Sequence, residues 1–171
     1  QAIDIEAIKK KVMRGLSEPA GIITFPGVNG YTKELDARLP YDVDAAKKLL
    51  ADAGYPNGFD VELRCPNDRY VNDEAICTAV VGMLGKIGVN VSLFAQTKSK
   101  HFKELKDNQG DFYMLGWGVP TLDSHYVFHY LYESGASWNK VNFSNSDVDA
   151  AIRVMEGEVD LDKRNEAIAK A

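Results

Sequence analysis

Pro56-Asn57-Gly58-Phe59-Asp60-Val61-Glu62-Leu63-Arg64-Cys65 decides the fold class. The Pro-Asn-Gly triplet is a turn, and after it Phe59, Val61, Leu63 and Cys65 alternate with Asp60, Glu62 and Arg64. Successive side chains of a strand point to opposite faces, so this period of two predicts a strand with one polar face. The next segment changes period: Asn72 or Asp73 opens a helix carrying Ile76, Val80, Met83, Leu84 and Ile87, closed by Gly88. Val89, Val91 and Leu93 alternate again, giving a second strand over 89–95. A helix over 97–108, then Gly110, lead into a third strand through Phe112, Tyr113, Met114 and Leu115. Strand–helix–strand–helix–strand with short joints predicts two consecutive βαβ units and three parallel strands. The fold class is α/β, with a βαβαβ parallel core and extra helices.

Working outward, residues 4–14 repeat Ile5, Ile8 and Val12 on one side and read as an amphipathic helix ended by Gly15. A second helix follows Asp42 as N-cap, with Ala45, Leu49 and Ala53 on one face and Gly54 as its stop. Between them, residues 16–41 are punctuated by Pro19, Gly21, Pro26, Gly27, Gly30 and Pro40, with Phe25, Tyr31 and Tyr41 among them. That is long for a connection, so a functional or surface-wrapping role is expected. Past the third strand the pattern is helical: 124–132, then 146–157 after Ser144-Asn145, then 161–171 capped by Asp160.

The 171 residues suit one domain or one lobe of something larger. With 45% hydrophobic and 26% charged residues the chain is too apolar to be disordered. Twenty basic against twenty-five acidic side chains leave a net charge of -5 and no basic stripe, which excludes nucleic-acid binding by bulk charge. No run reaches the roughly 18 apolar residues of a membrane span. The chain opens on Gln1 without Met or signal peptide and ends inside a helix at Ala171, so an excised or mature segment, truncated at both ends, is expected. Cys65 and Cys77 are too few for a disulfide scaffold or a thiolate-rich metal site. Two half-buried thiols are the commoner arrangement and a bridge the other, which leaves the redox compartment open.

In open parallel sheets ligands gather at the carboxyl ends of the strands. Three loops qualify: Pro66 to Asn72, Gln96 to Ser99, and Gly116 to Ser124. The first holds Asn67, Asp68, Arg69 and Tyr70, a dense polar group. In the last, Gly116 and Gly118 flank Trp117, letting backbone approach a ligand and leaving an indole face to stack. Trp117, Asp123 and Arg69 are expected to converge on one edge; the alternative is a turn whose Trp caps the core.

His125 and His129 stand at i and i+4, a zinc-site spacing. The zinc-protease Glu after the first His is absent, His101 lies on another helix, and no third ligand has convincing spacing. The pair therefore reads as polar–aromatic packing with Tyr126, Phe128 and Tyr132, and no metal or other cofactor is assigned. A Gly-x-Ser-x-Gly elbow, a Cys–His signature, a full dinucleotide fingerprint and a Gly-Lys-Ser/Thr phosphate loop are all missing. Lys98, Lys100, Lys103 and Lys106 make a solvated helix face. Catalysis has no support, and no catalytic residue is named.

Several pieces, in order along the chain, resemble the extracytoplasmic solute-binding proteins of family 5, which serve peptide and nickel ABC importers. They are Ala2-Ile3-Asp4 with Gly15, Tyr41-Asp42 through Ala45, Leu49-Leu50, Ala53-Gly54-Tyr55-Pro56 and Gly58. Asn67-Asp68, Leu84 through Ile87-Gly88-Val89, Gly116-Trp117-Gly118, and Phe143-Ser144-Asn145 before Asp149 continue the match. The resemblance implies one lobe, residues 1–171, of a two-lobed periplasmic-binding-protein-like (type II) fold, the carboxyl-terminal lobe. It implies a binding component that captures an oligopeptide or similar small solute by closing on it and delivers it to a membrane permease. The location implied is periplasmic or extracytoplasmic, at the membrane through the permease, with a monomer expected. Under it Trp117 stacks, backbone at Gly116 and Gly118 hydrogen-bonds, Asp123 orients a donor, and Asn67 and Arg69 approach the mouth.

In peptide-binding members of the family, an Asp three positions after the Trp pairs with the peptide's α-ammonium. Pro120 stands there in this chain, with neither charge nor backbone donor. Asp123 is the expected substitute if the ligand is a peptide; a modified peptide or an uncharged solute is the alternative. A small α/β enzyme without a recognisable motif, or a protein-interaction module built on 16–41, are the competing classes.

Overall fold

The computed structural model describes all residues, 1–171. The chain divides into two compact units: Gln1–Pro19 with Leu39–Gly116, and Ala20–Arg38 with Trp117–Ala171.

The first unit holds the sheet. Asp4 caps α1 (Ile5–Ala7) by accepting from Ala7 N, and the segment continues as a π-helical turn over Ile8–Val12. Asp42 accepts from Ala45 N and starts α2 (Val43–Asp52). Then come β1 (Phe59–Pro66), α3 (Asp73–Gly85), β2 (Val89–Gln96), α4 (Lys98–Lys106) and β3 (Phe112–Tyr113). The sheet order is β2-β1-β3, with both pairings parallel as the sequence predicts. β1 and β2 run in register from Phe59 against Val89 to Pro66 against Gln96. Gly58 begins this register at φ +76°, where a Cβ would fall 1.8 Å from the Gly88 carbonyl oxygen, so only glycine fits the turn. β3 is shorter than expected, because Met114 adds one bond to Arg64 O and the chain then leaves the ladder.

Under the sheet, Leu63, Cys65 and Cys77 form a buried cluster with Val81, Val91, Leu93, Phe112 and Met114 packed on it. Cys65 and Cys77 are joined, Cα to Cα 6.6 Å, which is the second of the two arrangements the sequence left open. The reason is placement: the last inward position of β1 faces the second turn of α3, and no spacing rule in the sequence shows that. On the other face Arg64 is 9% exposed, bonds Glu104 (3.1 Å) and Glu62 (2.6 Å), and lies 4.0 Å over the Phe94 ring.

The second unit has no strand ladder, only a bridge between Asn29 and Asp123. Its helices are α5 (His125–Val127), continuing as a π-helical turn over Phe128–Tyr132, then α6 (Ser146–Gly157) and α7 (Leu161–Lys170). Asn145 and Asp160 cap α6 and α7, each accepting from two backbone amides. Ala151, Met155, Ala167 and Ile168 make one core cluster, and Val28, Val119 and Val127 another. Residues 20–38 therefore belong to this unit. Val28 is buried against Val119 and Val127, while Asp36 turns the segment by accepting from Gly21 and Ile22 amides and the Tyr31 hydroxyl.

Candidate functional site

In the second unit Trp117 is the hub of an aromatic cluster. Its ring centroid lies 6.1 Å from Tyr126, 6.0 Å from Tyr130 and 6.0 Å from Trp138. Tyr126 and Tyr130 come from one helical face and touch each other at 4.8 Å. The indole Nε1 is shielded from solvent with no hydrogen-bond partner, although a buried indole N–H normally donates to something. The two flanking glycines differ. A Cβ on Gly116 would lie 2.6 Å from Tyr70 Cε1, so Gly116 is glycine for packing within the first unit. A Cβ on Gly118 would meet nothing within 4 Å, which leaves open space beside the indole's backbone.

Asp123 is not a free carboxylate. It accepts from Arg164 Nε (2.9 Å) and Nη2 (2.8 Å), from Asn29 Nδ2 (3.0 Å) and from the His125 amide (2.9 Å). A carboxylate has about four acceptor sites, and all four are used. Burial pushes the Asp123 carboxyl up, but Arg164, the His125 amide and Asn29 outweigh it and hold it below the ordinary value. Arg164 is held in turn by the Met155 and Glu158 carbonyls. This clasp ties residues 117–124 to α7 and to residue 29 inside one unit. Arg164 carried no motif that could have flagged it.

In the first unit, Asn67 and Arg69 lie exposed in the loop after β1. Asp73, 4% exposed, shapes that loop: one oxygen accepts from the Arg69 and Tyr70 amides, the other from Glu74. Burial raises the Asp73 carboxyl and these backbone bonds lower it further than burial raises it. The sequence marked Asp73 only as a possible helix start. Its carboxylate is what holds the backbone that presents Arg69, whose guanidinium lies 5.0 Å over the Tyr70 ring. Trp117, Gly118 and Asp123 thus belong to the second unit, and Asn67, Arg69 and Gly116 to the first.

His125 and His129 share a face with rings 5.5 Å apart, and burial, His129 and Arg164 together lower His125 from the ordinary imidazole value. His101 is fully buried in the first unit, its Nε2 3.0 Å from Met114 O, and burial lowers it as well. A separate cavity of about 590 Å³ in the second unit is lined by Ile22, Ile23, Val127, Phe128, Phe143 and Ile168 among others, with no charged side chain in its wall.

Residues 1–139 match the family model of bacterial extracellular solute-binding proteins, family 5 Middle. The chain belongs to this family. It is 28% identical to heme-binding protein A of Haemophilus influenzae over 171 residues, covering 95% of this chain and 30% of that protein. The dipeptide-binding protein of Escherichia coli K12 is 28% identical over 146 residues, 84% of this chain and 27% of its own length. In structure the chain is similar to the periplasmic binding protein AgaA of A. tumefaciens R10, solved with agropinic acid. The TM-score is 0.86 and the identity 26%, over 98% of this chain and 35% of AgaA. The chain thus spans about 30% of the length of the relatives it matches. The α/β architecture with a parallel sheet is that of the periplasmic binding proteins, and the share of length covered corresponds to one lobe. Family members are transport binding proteins. No helix is long and apolar enough to cross a membrane.

Proposed function

We propose that this chain is a solute-contacting lobe of an ABC importer's binding component, and that it captures an oligopeptide or similar small solute without catalysing a reaction. Membership of family 5 over residues 1–139 carries the reading. In the second unit, the half-buried Trp117 and the open space at Gly118 supply a stacking face. In the first unit, Asn67 and Arg69 offer exposed hydrogen-bonding groups on a loop that Asp73 holds still. Binding that makes contacts available only in a closed form shifts the population to that form, which a permease reads as shape. The Cys65–Cys77 bridge supports an extracytoplasmic location, because such bonds persist in oxidising compartments.

The choice of solute follows from the carboxylates. Pro120 removes one, and the saturated Asp123 cannot serve as its replacement without abandoning Arg164. Ligands here are therefore recognised by a planar or amide-bearing body more than by an α-ammonium. The test is mass spectrometry of the small molecules released on denaturing the intact protein purified without added solute. One defined solute lacking a free α-amine is expected. A ladder of mixed short peptides with free amino termini would overturn the assignment of specificity while keeping the transport role. Turnover of a metabolite with no retained solute would overturn both.

A further inference from the structure

We propose that His125, His129 and Glu156 form a binding site for a borderline divalent transition cation, for which Zn²⁺ is the probe. The site lies within the second unit, and its argument needs no solute.

The sequence lacked a third ligand, and the fold supplies one. His125 opens α5 and His129 follows at i+4 in the turn that continues it, so both imidazoles leave one face. Glu156, in the last turn of α6, brings one oxygen to both: Oε1 is 3.9 Å from His125 Nε2 and 3.8 Å from His129 Nδ1. All three ligand atoms lie within 4.8 Å of one another. Two ligands of a tetrahedral zinc sit roughly 3.4 Å apart, given bonds of about 2.1 Å. The Glu156 side chain is 46% exposed, so its rotation can close the triangle.

Two observations point to a ligand beyond the protein's own groups. His125 Nε2 and His129 Nδ1 are both shut off from solvent with no hydrogen-bond partner, an unusual state for a ring nitrogen. The rings are also stacked, 22° from parallel at 5.5 Å, where two imidazolium charges would repel each other. One dication shared by two neutral imidazoles and a carboxylate satisfies all three groups at once. Glu133 Oε2 stands 2.8 Å from His129 Nδ1 without the alignment of a hydrogen bond, so a second carboxylate is at hand for the fourth position. The neighbouring Arg164 is neutralised by Asp123. Nitrogen with carboxylate oxygen suits Zn²⁺, Co²⁺ or Ni²⁺, whereas Mg²⁺ and Ca²⁺ prefer all-oxygen sets.

Untagged, chelator-stripped protein titrated calorimetrically with Zn²⁺ is expected to bind one equivalent, unaffected by excess Mg²⁺. At a hundredfold excess over Kd the thermal midpoint should rise by about 5–10 °C. His129→Ala and Glu156→Gln alter partly exposed side chains, and each should weaken binding at least ~10-fold, since even groups behind the ligands cost that much. Co²⁺ should give a visible ligand-field spectrum that both variants lose. Failure to bind one equivalent, equal competition by Mg²⁺, or undiminished affinity in Glu156→Gln would each overturn the three-ligand site.

Discussion

The two units hold their shape by different means. The first is built on a ladder: two parallel strands in register over their full length, a covalent Cys65–Cys77 link beneath them, and Arg64 pinned between Glu104 and Phe94 above. The second has no ladder and relies on side chains that reach far along the sequence, chiefly the Asp123–Arg164 pair with Asn29. Backbone pairing spreads stability over many small bonds, whereas a clasp concentrates it in a few charged groups. The difference is measurable, because both tryptophans, Trp117 and Trp138, lie in the second unit. Their fluorescence reports that unit, and hydrogen exchange of β1 and β2 amides reports the other.

The largest effect is expected at the clasp. Asp123→Ala leaves Arg164 without its carboxylate, at a site where the two side chains are only 19% and 18% exposed. Removing one partner of a buried pair costs about 3–5 kcal/mol, and this site belongs at the lower end because a fifth of each side chain meets solvent. The tryptophan-monitored urea midpoint should fall accordingly, with little change in exchange at β1. The pH dependence has a definite sign. The folded Asp123 carboxyl is held below its unfolded value near 3.9, so its contribution is complete above about pH 4 and is lost as pH falls below that. Asp123→Asn should flatten that acid limb. Equal losses in both units would show that the clasp is not local.

Next comes the covalent link. Cys65→Ala with Cys77→Ala opens a loop of sequence separation 12, worth about 3 kcal/mol of unfolded-state entropy. Protection of β1 and α3 amides should drop, and the tryptophan transition should stay in place. If fluorescence moves as much as exchange, the units do not unfold separately and the contrast fails.

How far the sequence could be read follows the same division. The first unit was legible because its information is local: alternation at Phe59–Cys65 and Val89–Leu93, and the cap at Asp42, need no distant partner. The second unit was legible only for its helices and the caps Asn145 and Asp160. Its organising pair, Asp123–Arg164, has no period or spacing, so the sequence marks Asp123 without its partner. For the same reason Glu156 beside the histidines has no signal in the sequence, and the Cys65–Cys77 bond stays one of two open arrangements. Gly116 and Gly118 look alike in sequence, and only the position of Tyr70 tells them apart. Long-range partners belong to the folded chain; a composition or a motif cannot encode them singly.

A smaller effect separates His101 from His125. His101 is fully buried with Nδ1 unpartnered, and burial lowers it below its unfolded value near 6.5. A proton therefore prefers the unfolded chain. Stability is complete above about pH 6.5 and declines as pH falls from there towards the folded pKa. His101→Gln keeps a donor for Met114 O and removes the titration, so the decline in β1 and β2 protection below about pH 6.5 should flatten. His125 is lowered too, and its contribution should remain in the tryptophan signal of the same variant.

The smallest effect tests whether charge alone matters. Two of the ion pairs that involve α4 differ in character. Glu104, 12% exposed, meets Arg64 inside the first unit, whereas Lys103 and Asp107, 77% and 49% exposed, meet at 3.1 Å in water. Exposed i,i+4 pairs contribute only about 0.3–0.5 kcal/mol, because solvent screens the attraction and both side chains lose freedom. Lys103→Ala should change exchange in β1 by no more than that and leave the tryptophan midpoint unmoved. A loss as large as that of Asp123→Ala would mean that ion pairs stabilise this chain by charge irrespective of burial, and the clasp would lose its special standing.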